Sequence, residues 1–515
     1  RGDQDAHAAK AADESHAEVG DRANDAIRVN GAELRCRVIG EGGNLGFTQR
    51  GRIEFAMAGG RAYTDAIDNS AGVDCSDHEV NIKILLNIVE ADGELTRKQR
   101  DQLLAAMTDE VAALVLRDNI QQTQILSVMA SRSASLLDEQ TRYMRQLEKA
   151  GRLNRALEYL PDDEELAECR TAHTGLTLPE LSVLLAYSKL DLYDAVIASD
   201  APEDPLVGAV LESYFPTLLR ERFPSVIARH PLRREIIATC VINEMINRVG
   251  STFAFRLTEE TGASAGQVLK AYTVTRDAYR LSDLWQDIET LDTSVPAAIQ
   301  NALFAEIIRL AARSARWFLR RPAYLNDLAA TVTLFAGAIA GLSSTLDRLF
   351  QDTERGAFDD AAVDYVQAGV TESVARRVVS LLPLYSALDI AEIAASIDRR
   401  AEEVATIYFE LVSRLDLLWF SQQIRQLPTE SHWQMLARDA LRDELSGIIA
   451  ELTVGVFREC PPGHGTGTLI SAWETAHHTQ FERYAQMVAE LRQASGLDMP
   501  MVSVALRELR GLTRG

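Results

Sequence analysis

At 515 residues the chain is too long for one hydrophobic core and suggests roughly three or four core-sized units. An apolar fraction of 47% and a charged fraction of 25% are those of an ordinary globular protein, which excludes disorder as the default state. A formal net charge of −22 excludes nucleic acid as a partner, because phosphate-driven affinity needs a concentrated cationic face.

In chain order, the sequence opens on Arg1 in the polar stretch RGDQDAHAAKAADESHAEVG. It has no apolar h-region, so it reads as a cut or processed start and not as a signal peptide. Leu34 to Ile39 is expected to be a strand with Leu34, Cys36 and Val38 on one face, running into Gly40, Gly42 and Gly43. A short helix should follow within TQRGRIEFAMAGG, closed by its glycine pair. Arg61 to Ile67 reads as a second strand, and a helix is expected from near Ser76 to about Glu90, with Val80, Ile84, Leu85 and Ile88 as its apolar stripe. Strand, loop, helix, strand, loop, helix is the pattern of a parallel sheet covered by helices. The expected class is therefore α/β followed by all-α: the second half of a Rossmann-like dinucleotide-binding domain over residues 1–90, with the rest of its sheet upstream.

Beyond Asp92 the pattern is helical throughout. Thr96 with Gln99 forms a capping box for a helix reaching roughly Leu116, and Thr177-Leu178-Pro179-Glu180 is a second cap. Breaks are expected at Pro161, Pro202, Pro216, Pro224, Pro231 and Pro322. Residues 91–150 are assigned to helices completing the first region and 151–515 to a large all-α domain. Arg316, Arg320 and Arg321 beside Trp317 and Phe318 read as a solvated helix face. The uncharged run Leu328 to Leu346, with Gly337 and Gly341 at membrane-dimer spacing, reads as a fully buried helix and not as a membrane span.

The cysteines Cys36, Cys75, Cys169, Cys240 and Cys460 lie far apart without a CxxC pair, as reduced thiols in a cytoplasmic protein would. No metal is assigned. Cys75, Asp77, His78 and Glu79 point in different helical directions, and His477 or His478 with Glu482 lacks a third ligand. Gly463-His464-Gly465-Thr466-Gly467 follows a helix and lacks a Gly-Lys-Ser/Thr ending, so it reads as a connector and not as a phosphate loop.

Two polar loops carry the chemistry. In Glu41-Gly42-Gly43-Asn44-Leu45-Gly46-Phe47-Thr48 the glycines admit close approach of a ligand and Asn44 offers both donor and acceptor. In the segment Asp68 to Glu79, Asn69 lies at an expected strand end and Ser76 at an expected helix start, where amide groups favour an anion.

The pair EGGNLGFT and NSAGVDCS resembles the EGANxPT and NAGGVxxS elements of glutamate dehydrogenases. The block from Val38 to Asn87 is similar to the large bacterial NAD-dependent members, which also carry a long helical extension. The resemblance implies that Asn44 and Asn69 contact the nicotinamide ribose and carboxamide of NAD, with Gly42 and Gly43 beside them. It implies that Ser76 binds the side-chain carboxylate of glutamate, a serine that the related leucine and phenylalanine dehydrogenases lack. Ser70-Ala71-Gly72 replaces Ala-Gly-Gly, and Gly46-Phe47 replaces a Pro-Thr step; both leave the asparagines in place.

The implied reaction is oxidative deamination of L-glutamate to 2-oxoglutarate and ammonia, using a water-activating lysine and a proton-shuttling carboxylate. The resemblance places both upstream, and none of Lys10, Lys83, Lys98, Lys149, Lys189 and Lys270 has a glycine-rich setting. It also implies a homo-oligomer, a tetramer or hexamer, with possible amino-acid effectors. A dehydrogenase for another amino acid, which Ser76 opposes, and a non-catalytic helical scaffold are the rival readings.

Overall fold

The computed structural model describes residues 7–350, 352–429, 432–459, 466–494 and 496–513. Residues 1–6, Cys460 and most of the Gly463–Gly467 connector lie outside the described residues. Two compact units divide the chain: Arg1–Val274 with Ala315–Leu328, and Thr275–Ser314 with Ala329–Gly515.

The expected Rossmann-like α/β region is overturned. Among the described residues the only strands are Ala9–Lys10 (β1) and Val29–Asn30 (β2), paired in parallel, with single bridges from Ala9 to Phe47 and from Val38 to Arg61. The two segments read as strands do meet in parallel, through Ile39 N–H to the Arg61 carbonyl (2.9 Å) and Arg61 N–H to the Arg37 carbonyl (2.9 Å). They stop at that one rung because no third strand is present among the described residues, Val38 is 65% exposed, and the second segment turns into a helix at Asp65. The chain is helical almost throughout the rest of its described length.

In the first unit the site region is built from Gln49–Met57 (α1), Ser70–Ala91 (α2) and Arg97–Ala130 (α3). Thr48 caps α1 by accepting a hydrogen bond from Gly51 N–H at 3.0 Å. The box opening α3 is present, with Gln99 Oε1 accepting from Thr96 N–H at 2.9 Å, but the helix continues well past Leu116. Leu178–Ile197 (α4) opens on the Thr177–Glu180 box and packs against α1, α3 and Arg233–Val249 (α5). Leu85 and Leu86 of α2, Leu126 of α3 and Leu181, Leu184 and Leu185 of α4 are fully buried, each contributing roughly 1.5–3 kcal/mol of transfer free energy. α2 starts at Ser70 and not near Ser76, and its buried stripe is Ile82, Leu85, Leu86 and Val89, leaving Val80 exposed. Arg316 and its neighbours also depart from expectation: Arg316 is buried in an ion pair with Glu260 (2.5 Å), and Arg321 stacks on Trp317 at 3.9 Å.

The second unit includes Leu328–Leu349 (α6) from Ala329 onward, Asp352–Gln367 (α7), Glu372–Leu384 (α8), Ala401–Arg414 (α9), Leu417–Gln426 (α10) and His432–Glu459 (α11). α7 packs on α8, and α9, α10 and α11 pack on one another around Ile407, Leu411, Phe420, Ile424 and Ile448. α6 is long and apolar enough to cross a membrane by length and composition, yet only 28% of its most apolar stretch is buried. It is therefore not the fully buried helix expected: Thr331, Phe335, Ile339, Leu342 and Leu346 form a single buried stripe at helical spacing.

Gly31 sits where a Cβ would collide with the Gly51 carbonyl of α1 and come within 3.0 Å of Phe55 N. Gly31→Ala should destabilise the β1, β2 and α1 layer by about 1–3 kcal/mol, read as earlier thermal unfolding and faster proteolysis before residue 60. An unchanged proteolysis pattern would mean that α1 moves freely on this layer.

Candidate functional site

The first polar loop is closed by a buried charge. Glu41 is 6% exposed, and its carboxylate accepts from Arg52 Nε (2.6 Å), from the Arg52 terminal nitrogen (3.0 Å) and from Phe47 N–H (3.0 Å). One carboxylate thus ties both ends of the loop to α1. The loop is then held from outside: Asp68 accepts from Glu41 N–H (3.0 Å), and Asp65 accepts from Leu45 N–H (3.0 Å) and lies 3.2 Å from Arg52. Leu45 takes a left-handed φ of 61°, a conformation that the Asp65 bond fixes. Partial burial raises the Asp68 pKa above the ordinary carboxylate value, opposed by the Glu41 amide.

The same arrangement brings the second loop in. Asn69 occupies the N-cap position of α2, yet its side chain caps nothing; its amide instead donates to Asn44 Oδ1 at 2.9 Å. Asn119 of α3 fixes this turn by donating to the Ile67 carbonyl (2.8 Å) and to Ser70 Oγ (3.0 Å), and Gln122 adds a bond to Ser70 Oγ (3.3 Å). Asn44 and Asn69 therefore meet, and Gly42 and Gly43 border them with open space where a Cβ would stand. Ser76 is placed on the exposed face of α2, its hydroxyl donating to the Gly72 carbonyl at 3.3 Å. It is not at the helix start, so no helix N-terminus supports it; Val73 and Val80, 75% and 52% exposed, flank it on that face.

Elsewhere on α2 the polar residues His78 and Asn81 are buried. Asp77 accepts from the Tyr214 hydroxyl (2.8 Å), which in turn accepts from Asn81 (2.8 Å), and His78 stacks on the Tyr214 ring at 4.4 Å. Burial holds the His78 imidazole below its ordinary pKa and keeps it neutral near pH 7. Lys189 of α4 reaches Gln122 Oε1 (3.2 Å), and burial pushes its pKa down to about 8 against the pull of Asp118 and Asp74. Burial raises the pKa of both acids, and Asp74 raises that of Asp118 further.

The residues that sequence reasoning missed are Glu41, Arg52, Asp65, Asp68 and Asn119, which hold the loops without facing outward. Glu41 was the visible signal, being a charge set among glycines. Lys83 stands in an exposed pair with Glu79, as i,i+4 spacing suggests. Among the described residues no group of three or more His, Cys, Asp and Glu is placed to hold a metal.

Fold and site together define a helical protein presenting an amide pair and a hydroxyl on a glycine-bordered surface. Residues 173–511 match the family model described as glutamate dehydrogenase, C-terminal, and residues 7–129 match that of the bacterial NAD-glutamate dehydrogenase catalytic domain. The chain is 46% identical over 505 residues to an NAD-specific glutamate dehydrogenase of Pseudomonas aeruginosa, covering 98% of this chain and 31% of that protein. It is 42% identical over 501 residues to one of Halomonas elongata (97% and 31%) and 39% identical over 505 residues to one of Mycobacterium tuberculosis (98% and 31%). The chain belongs to the bacterial NAD-glutamate dehydrogenase family, and it spans 31% of the length of these relatives.

Two outcomes test the geometry. Arg52→Met, which strands the Glu41 carboxylate in the interior, should cost about 3–5 kcal/mol in equilibrium unfolding; a loss under about 1 kcal/mol would mean that the pair is solvated. For Lys189 the folded pKa lies below the ordinary value of about 10.4, so between the two the unfolded chain binds a proton that the folded chain has released. This group's contribution to stability therefore rises with pH through that window. Between about pH 8 and about pH 10 the native protein should lose less stability than Lys189→Met. Discounted for partial access to water, the gap is up to about 1 kcal/mol per pH unit. Equal slopes would place the ammonium in solvent.

Proposed function

We propose that this chain supplies the nicotinamide side of an NAD-dependent glutamate dehydrogenase, which converts L-glutamate to 2-oxoglutarate and ammonia. The observation that carries this reading is the Asn69 to Asn44 bond, because it withdraws an N-cap side chain from its ordinary work to build an exposed amide pair. The pair leaves the Asn44 amide as donor and the Asn69 carbonyl as acceptor, the complement of a carboxamide. Gly42 and Gly43 leave room for a ring to approach the backbone.

NAD, when bound, accepts the hydride that leaves Cα of glutamate. In this reading Asn44 and Asn69 orient the nicotinamide and its ribose, and the Ser76 hydroxyl donates a hydrogen bond to the substrate's side-chain carboxylate. The water-activating lysine and the proton-shuttling carboxylate are assigned to parts of the subunit outside these 515 residues. Of the lysines here, Lys83 is paired with Glu79, Lys189 bonds Gln122, Lys270 pairs with Asp200 (2.7 Å) and Lys10 bonds Asn30 (2.9 Å). The cytoplasmic setting is supported by the free state of Cys36, Cys75, Cys169 and Cys240. The helical remainder is assigned to subunit contacts in a homo-oligomer and to effector control.

In the full-length enzyme Ser76→Ala should raise KM for glutamate by about 10- to 100-fold, the worth of a hydrogen bond to a charged group, with KM for NAD changed less than about twofold. Equal effects on both constants would remove Ser76 from the substrate site.

A further inference from the structure

The second unit contains a cavity of about 350 Å³, within the range of roughly 300–1,000 Å³ typical of small-molecule sites. α7 to α11 and the Tyr385–Ser386 turn form its walls, and most of the lining is apolar: Phe350, Phe358, Leu382, Tyr408, Phe409 and Ile449 are representative. The cavity opens to solvent on one side, so a small molecule can reach its apolar walls.

Three guanidinium groups border this apolar space: Arg313, Arg425 and Arg442. Arg442 is engaged with Asp439 at 3.2 Å. The other two stand in no ion pair of their own, although Glu306 acts on Arg425 and Asp389 acts with Arg313 on Tyr385. Arg313 lies over the Tyr385 ring at 3.9 Å, and its Nε is buried without a hydrogen-bond partner. No carboxylate among the described residues comes within 4.0 Å of Arg425. Burial and the like charge of Arg309 lower the Arg425 pKa, Glu306 opposes them, and Arg442 lowers it further. Arg442 also acts on Tyr385, the ring beneath Arg313, so the three cations share one region of the wall.

A buried donor without an acceptor is costly, and an anionic group at Arg313 relieves it, with the solvent-exposed Arg425 at the rim of the same cavity as a second guanidinium for that anion. Guanidinium matches a carboxylate in a planar, two-bond geometry. We propose that this cavity binds a small organic carboxylate with a hydrocarbon or aromatic body, its carboxylate at Arg313 and Arg425 and its body against the Phe350, Phe358 and Phe409 wall. The site lies wholly within the second unit and uses none of Gly42, Gly43, Asn44, Asn69 or Ser76.

The test is calorimetric titration of the full-length protein with decanoate, decanol and decyltrimethylammonium. Decanoate should bind saturably at one site per chain, and decanol and the cation should bind at least about tenfold more weakly. Arg425→Gln, at an exposed position that the fold tolerates, should reduce decanoate to the affinity of decanol. Ser421→Trp, which fills the cavity from α10, should abolish binding of all three, with thermal unfolding confirming that the variant is folded. Absence of saturable decanoate binding, equal affinity for the three probes, or decanoate binding that survives Ser421→Trp in a folded protein would each overturn the proposal.

Discussion

The geometry of the site rests on one buried ion pair. Among the described residues the only strands are two short parallel ones, and backbone pairing reaches just the exit of the Glu41–Thr48 loop, through Ala8 and Ala9 to Gly46 and Thr48. The Glu41–Arg52 pair fixes the rest, at side-chain exposures of 4% and 5%. Taking both charges out of water is expensive, and their attraction repays that cost only when the remaining donors and acceptors are satisfied. Here they are: Glu41 also receives Phe47 N–H, and Arg52 also reaches Asp65 and Gln49. An apolar pair of equal volume would fill the space but leave Phe47 N–H without its acceptor, and the loop would lose its fixed exit into α1. The pair contributes definition of shape more than net stability.

From that anchor the order of the second loop follows. Asp65 and Asp68 are held against the first loop by its backbone amides, which fixes where α2 begins and turns Asn69 toward Asn44. α2 then separates two environments by helical periodicity alone: Ser76 with Val73 and Val80 face outward, while His78 and Asn81 face a buried polar layer. Asn81 bonds Tyr214 there, while Asn119 and Gln122 of α3 hold Ser70 at the start of α2, so the exposed surface is positioned by groups on distant stretches of the first unit. A change in the packing of α3 or α4 would therefore reach Asn69 and Ser76 through a short chain of hydrogen bonds.

Features set by neighbours in sequence were legible from sequence; those set by distant neighbours were not. The boxes at Thr96 and Thr177 are local exchanges of side chain and amide, and both are present. The strands at Leu34–Ile39 and Arg61–Ile67 were misread because alternation over a few residues says nothing about whether partner strands exist. The start of α2 was misplaced because Asn69 does not cap it, so the ordinary signal was missing at the residue with another use. The juxtaposition of Asn44 and Asn69 was reachable only through family resemblance. Glu41 with Arg52 could not be paired from spacing, since nothing local distinguishes a buried charge from a solvated one. Arg316 shows the same failure, as its partner Glu260 lies far away in the chain.

α6 illustrates how composition and burial separate. Its mean hydropathy of 1.5 comes from two different populations of side chain. Large residues, Phe335, Ile339, Leu342 and Leu346, form the buried stripe, whereas the exposed side is made mainly of Ala, Gly and Ser with Leu334 as its largest apolar member. Small side chains carry little apolar area, so leaving them in water costs far less than their hydropathy values suggest. The opposite balance holds at the cavity lined by α7 to α11, where large aromatic side chains face a space open to solvent. The first surface is inexpensive to expose and gains little from a partner. The second has a concave apolar surface beside guanidinium groups, and binding energy is concentrated where both occur together.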